Sequence, residues 1–260
     1  MNSKMLGNYG LSTEKILDIV PTMDSDVVFL SGSIIEGFGN KGSDLDVYII
    51  NREDQHIIPN DIPFKEFPFG TEYTFLGHEI LISVMLISEN NLIKHLGKVN
   101  SMLERKQIGS LDKKSIELYH RVYNGVPLKG ETIFREYSVL LNFHNFSQSL
   151  HDNRTSYSEN RQEDAVGALE SGDIYTAFIS ARISLETAVE ALLYLKGETN
   201  PSDKWLFRKL FKHYSQNVEW VKEFLDLYVG ISEIPLQEKT KEMLRLANSI
   251  RLMSFDISIS

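Results

Sequence analysis

The chain has 260 residues, is 42% hydrophobic and 24% charged, holds no cysteine and carries a formal net charge of −9. That length is enough for one large core or two smaller ones. The missing cysteines exclude disulfides, thiolate metal sites and cysteine nucleophiles, and suit a cytoplasmic protein. The acidic balance disfavours nucleic acid as a partner and favours a cationic small substrate.

Met1 to Gly10 lack a charged start followed by an apolar run, so no secretory signal is expected, and no stretch is apolar enough to span a bilayer. Ser12 is a predicted N-cap for a helix over Thr13 to Ile19, which Pro21 ends. Val27 to Leu30 reads as a buried strand. Ser31 to Ser43 contains Gly32, Gly37, Gly39 and Gly42, a stretch able to bend and approach a ligand, the last three chiefly as turn residues. Asp44 to Ile50 reads as a second strand. Asn51 to Gly70, with three prolines at 59, 63 and 68, is predicted to be irregular. Glu72 to Leu76 and Glu79 to Ile87 form a predicted hairpin turning at Gly77-His78. Helices follow over Asn90 to Arg105 and Asp112 to Tyr123, and Asn124 to Pro127 breaks the second.

After Gly130 no strand is expected. Thr132 to Leu150 has helical periodicity. Asp173 to Lys196 has the clearest apolar stripe, Ile174, Ala177, Phe178, Ala181, Leu185, Ala188, Leu192 and Leu193, and stops at Gly197. Asn200-Pro201 reads as cap and first position of another helix, with more helices over Val218 to Val229 and Gln237 to Met253. The expectation is α+β: a mixed sheet with flanking helices over residues 1–130, then a helical bundle over 131–260.

The chemistry sits in VVFLSGSIIEGFGNKGSDLDVYII, from Val27 to Ile50. Residues two apart on a strand face the same side, so Asp44 and Asp46 present two carboxylates together. Their repulsion calls for a divalent cation, and hard oxygen donors suit Mg²⁺. Gly32 lets the backbone approach a phosphate and Ser33 adds a hydroxyl. A helix starting near Ile34 would add free N–H groups to the same anion.

This segment resembles the nucleotidyltransferases of the DNA polymerase β superfamily: an apolar strand, Gly-Ser, a spacer of about ten residues with Ser43 before the acids, then Asp-x-Asp. The resemblance implies two-metal catalysis, with Asp44 and Asp46 bridging both ions. It also implies a third carboxylate on a later strand. Glu79, leading HEILISVML, matches that of aminoglycoside nucleotidyltransferases, and Glu72 on the paired strand competes with it. The helical half is similar to the C-terminal domain of kanamycin nucleotidyltransferase-like proteins. Lys204 and Arg208, one turn apart, match basic residues that reach the triphosphate in similar enzymes, or else form a solvated face. Glu186 and Glu190, at four-residue spacing from Arg182, read as a solvated ion-paired face or as contacts to a cationic acceptor. Arg208 with His213 also matches the Arg-x4-His pattern of helical ribonucleases called HEPN.

The activity this implies is transfer of a nucleoside monophosphate, AMP for preference, from an NTP to a hydroxyl of a small-molecule acceptor, with pyrophosphate released. The alternatives are transfer to a protein or an RNA end, or a non-catalytic or HEPN-like regulatory or toxin–antitoxin module. A homodimer stays open.

Overall fold

The computed structural model describes residues 7, 10–53, 61–77, 79–230 and 233–259. Contacts divide it into two units. One comprises residues up to Arg105 together with Leu111–Asn142, and the other comprises Lys106–Ser110 with Phe143–Ser260.

The first unit is a six-stranded mixed sheet with helices. Its strands are β1 (Val27–Ser31), β2 (Leu45–Asn51), β3 (Phe64–Phe67), β4 (Gly70–Gly77), β5 (Ile80–Ser88) and β6 (Val126–Lys129). They lie in the order β3-β4-β5-β2-β1-β6. β2 and β5 run parallel, and the other neighbours are antiparallel. The helices are α1 (Thr13–Ile19), α2 (Glu89–Glu104), α3 (Lys113–Tyr123) and α4 (Glu131–Val139). Ser12 caps α1 as its sequence predicts, its hydroxyl accepting from the Lys15 N–H at 3.3 Å.

The strand registers sort the sheet into two faces, because cross-strand partners point the same way. Val28, Leu30, Val47, Ile49, Ile82, Val84, Leu86 and Tyr73 form a buried core with Ile16 and Val20 of the α1 segment. The opposite face carries two polar rows. Ser31, Asp46, Ser83 and Thr74 pair in one, and Tyr48, Met85, Glu72 and Lys65 in the next.

Three sequence expectations need correction and a fourth needs an addition. Phe64–Phe67 is an edge strand rather than irregular chain: Phe-Lys-Glu-Phe alternates well enough to pair with β4. The break predicted from Asn124 does end α3 at Tyr123, and past it Val126–Lys129 adds a strand, where Pro127 costs little at the sheet edge. The helix predicted over Thr132 to Leu150 is broken after Val139: Asn100 Nδ2 donates to the Leu140 carbonyl at 2.8 Å, and the Asn142 N–H donates to Tyr119 Oη at 2.6 Å. Those tertiary bonds replace the helical ones, and α4 stays with the first unit, beyond the expected limit at Gly130. Asn200-Pro201 starts no helix: Asn200 Oδ1 accepts from the Ser202 N–H at 2.9 Å, and a 3₁₀ turn over Asp203–Trp205 leads into α7.

The second unit is helical: α5 (Phe143–Glu170), α6 (Ile174–Leu195), α7 (Leu206–His213), α8 (Glu219–Val229) and α9 (Leu236–Ile259). Ala177, Ala181, Leu185, Ala188 and Leu192 of the predicted stripe are buried. All of these but Ala177 share a core with Phe224, Met243, Leu246 and Ile250. His78, expected at the hairpin turn, lies outside the described residues. Among the described residues no helix is long and apolar enough to cross a membrane. The fold is thus α+β: a mixed sheet flanked by helices, followed by an all-helical unit.

Candidate active site

Asp46 lies directly across from Ser31, the last residue of β1, and so beside Gly32. Gly32 has φ +91°, and a Cβ built on it would stand 1.8 Å from Asp46 Oδ2. No residue but glycine tolerates both that backbone and that neighbour. The Ser31 hydroxyl is buried beside them and has no hydrogen-bond partner among the described residues. Burial pushes the Asp46 carboxyl up to about 7, with Arg121 opposing and Asp44, Glu117 and Glu72 adding to the rise.

Asp44 precedes β2 and is exposed. It lines a cleft of about 330 Å³ with Pro63, Lys65, Glu72, Thr74 and Ser83. Asp46 lines a smaller recess of about 30 Å³ with Tyr48, Phe69, Glu72, Lys114 and Glu117. Glu72 borders both cavities, so it is the carboxylate that the structure places with the aspartates. Ser83 faces Asp46 from the parallel strand β5, and its hydroxyl donates to Glu72 Oε1 at 3.3 Å. Glu79 is elsewhere. It sits exposed in the hairpin turn before β5 with φ +72° and lines neither cavity.

The segment after Gly32 is a closed turn, not the helix expected from Ile34. The Glu36 N–H reaches the Gly32 carbonyl at 2.9 Å, and those of Phe38 and Gly39 both reach the Ser33 carbonyl at 2.7 Å. Its amides therefore bind within the turn rather than along a helix end. Ser33 is buried here. Ser43 shapes the loop just before Asp44, its hydroxyl accepting from the Asn40 N–H at 2.9 Å.

Sequence reading missed the residues that α3 contributes. Arg121 is buried and donates to Glu36 Oε1 at 2.9 Å and to Glu117 Oε1 at 3.1 Å. His120 Nε2 lies 3.2 Å from the other oxygen of Glu36. The glycine-serine turn is thus tied to α3 through Glu36, and Arg121 counters the charge of the neighbouring acids. No short motif announces a pair 85 residues apart.

In the helical unit, Lys204 and Arg208 both pack on the Trp205 ring, 4.8 and 5.3 Å from its centroid. Glu186 accepts from the Tyr228 hydroxyl at 2.6 Å. Glu190 is buried against Arg154 at 3.2 Å, and burial raises its carboxyl despite that partner. His213 contacts Glu198 at 2.8 Å. Arg208 and His213 stand five positions apart in α7, about 140° around a helix of 3.6 residues per turn, so they project from different sides.

Among the described residues no group of three or more His, Asp or Glu side chains is gathered into a ready metal cage. A hard divalent ion needs no such cage. Mg²⁺ binds through one or two carboxylates and keeps several waters. Asp44, Asp46 and Glu72 offer only hard oxygen donors around the two cavities, and burial leaves the Asp46 carboxyl raised despite the nearby Arg121.

No family model and no curated protein matches the chain. Among solved structures the chain is similar to a nucleotidyltransferase-like protein from Exiguobacterium sibiricum, with a TM-score of 0.42 and 12% identity over 96% of this chain and 75% of that one.

Proposed function

We propose that the protein is a Mg²⁺-dependent nucleotidyltransferase that moves a nucleoside monophosphate, from ATP by preference, to a hydroxyl of a small molecule. The observation that carries this reading is the Asp46 carboxylate seated on Gly32, with Glu72 bordering both its recess and the cleft that Asp44 lines. Nucleotidyl transfer needs a held triphosphate and compensation for charge that builds on the reacting phosphate. The cleft of about 330 Å³ is at the small end of ligand pockets, which supports a small acceptor.

Asp44 and Asp46 hold the metal, which supplies charge neutralisation at the phosphates. Gly32 and Ser33 lie against the phosphates. Glu72, rather than Glu79, serves as third carboxylate. The acceptor oxygen bonds to the α-phosphorus as the bond from that phosphorus to the β-phosphate oxygen breaks. Pyrophosphate leaves, and Glu72 takes the acceptor's proton.

The test follows transfer from α-labelled NTPs with Mg²⁺ and a panel of hydroxylated metabolites and antibiotics. Asp44→Asn and Asp46→Asn should each lower the rate roughly 100- to 1,000-fold. Glu72→Gln should lose about 100-fold or more, while Glu79→Gln stays within about twofold. Full turnover by Asp46→Asn would refute the activity. An active Glu72→Gln beside a dead Glu79→Gln would reverse the carboxylate roles.

A further inference from the structure

A triphosphate beside Asp46 brings several negative charges up against a small recess already lined by Asp46, Glu72 and Glu117. A divalent ion offsets part of that charge, and the protein must supply the rest as fixed cations. Arg121 is engaged on both sides, by Glu36 and by Glu117. Of the side chains lining the recess, Lys114 alone is basic.

Lys114 is held in place rather than left to wander. Its Nζ lies 3.2 Å from Glu117 Oε2, while the other oxygen of Glu117 binds Arg121 at 3.1 Å. The same ammonium stands 5.3 Å over the Phe67 ring, which stacks on Phe69, itself a wall of the recess. An ammonium has three N–H donors, and Glu117 accepts one of them. The side chain is 47% exposed, so its remaining donors are open to an incoming ligand. A Glu–Lys pair of this spacing on an ordinary helix surface has neither a ring beneath it nor a motif aspartate across a shared recess. Lys65 provides the contrast. It stands across from Glu72 on edge strand β3 and borders the larger cleft, where an edge lysine already has a role in blocking strand addition.

We propose that Lys114 is a phosphate-binding residue, its ammonium meeting a non-bridging oxygen of the nucleotide triphosphate beside Asp46. This rests on the nucleotidyl-transfer reading. It places the protein's phosphate cation on α3 of the first unit, independently of Lys204 and Arg208.

The experiment measures binding of a non-hydrolysable ATP analogue with Mg²⁺ by calorimetry, at two salt concentrations, for the wild type, Lys114→Met, Lys114→Arg and Lys65→Met. Methionine keeps the apolar stem over Phe67 and removes the charge. Lys114→Met should weaken binding roughly ten- to a hundredfold, as loss of a charge-assisted hydrogen bond does, and flatten the salt dependence. Lys114→Arg should restore affinity to within a few-fold, and the KM for ATP should rise in parallel with Kd. The melting temperature should hardly move, because an exposed pair of this kind contributes little to stability. Wild-type affinity in Lys114→Met, or the loss appearing in Lys65→Met instead, overturns the assignment. A wild-type protein that binds no Mg²⁺–nucleotide overturns the underlying activity as well, so the two failures are distinct.

Discussion

The collision that any Cβ at position 32 would suffer with Asp46 Oδ2 explains more than the choice of glycine. It means that backbone and carboxylate meet without an intervening side chain, so Asp46 is shielded from water on that side. The result is a carboxyl raised to about 7, first by burial and then by Asp44, Glu117 and Glu72, against the pull of Arg121. The sign of the stability effect follows. Between the ordinary value of 3.8 and about 7, the unfolded chain gives up this proton while the folded one keeps it. Ionisation then favours the unfolded state, so this group's contribution becomes less favourable as pH rises through that window and levels off above it. In metal-free protein, denaturant titrations from pH 5 to 8 should show wild type losing stability relative to Asp46→Asn. Adding Mg²⁺ at pH 8 should restore stability by mass action on the folded state. Identical pH slopes in the two proteins would show that Asp46 is not desolvated as described.

At the scale of elements, α3 connects the motif to the rest of the first unit. It presents Lys114, Glu117, His120 and Arg121, and its start is fixed by Asp112. That side chain accepts from the Ser115 N–H at 2.8 Å and the Ser115 hydroxyl at 2.9 Å. Burial raises the Asp112 carboxyl, but these bonds and Lys98 outweigh it and leave it below its usual value. Asp112→Ala should cost about 1 kcal/mol in urea unfolding at pH 7. The difference should shrink as the medium is acidified, because a carboxyl lowered by folding loses its contribution once protonated. A mutant as stable as wild type at pH 7 would show the cap to be idle. The helix from Asp112 to Tyr123 was legible, and so were the two strands and the bend between them from Val27 to Ile50. The register of β5 was not. The run from Ile80 to Ile87 is nearly all apolar, so nothing in it marks which residue faces Asp46, and the family resemblance put Glu79 ahead of Glu72. Pairing puts Ser83 at that position and leaves Glu72 beside it. Arg121 was illegible for a different reason: its meaning lies in Glu36 and Glu117, and only folding brings Glu36 to it.

At the scale of the whole molecule, among the described residues, one hydrophobic cluster lies under the sheet, around Val47, Ile49, Ile82 and Val84, and another lies within the helical unit, around Leu185, Leu192, Phe224 and Leu246. Contiguous units of this kind open cooperatively, and amide exchange reads each by itself. Val84→Ala removes two buried methyl groups beneath Asp46 and Glu72, because Val84 pairs with Val47 on one side and Tyr73 on the other. A loss of about 1–3 kcal/mol should follow, and it should speed exchange of the β2, β4 and β5 amides while leaving those of α5 and α6 unchanged. A Mg²⁺–nucleotide complex held by Asp44, Asp46 and the turn at Gly32 should act in the opposite direction on the same sheet amides, slowing exchange in β2 and in the turn from Gly32 to Gly39. Were the nucleotide to protect only α6 and α7, the phosphates would belong to Lys204 and Arg208 rather than to the motif. Protection that appears in the sheet and vanishes in Asp46→Asn would tie the ligand to the pair of acids, whatever hydroxyl finally receives the nucleotide.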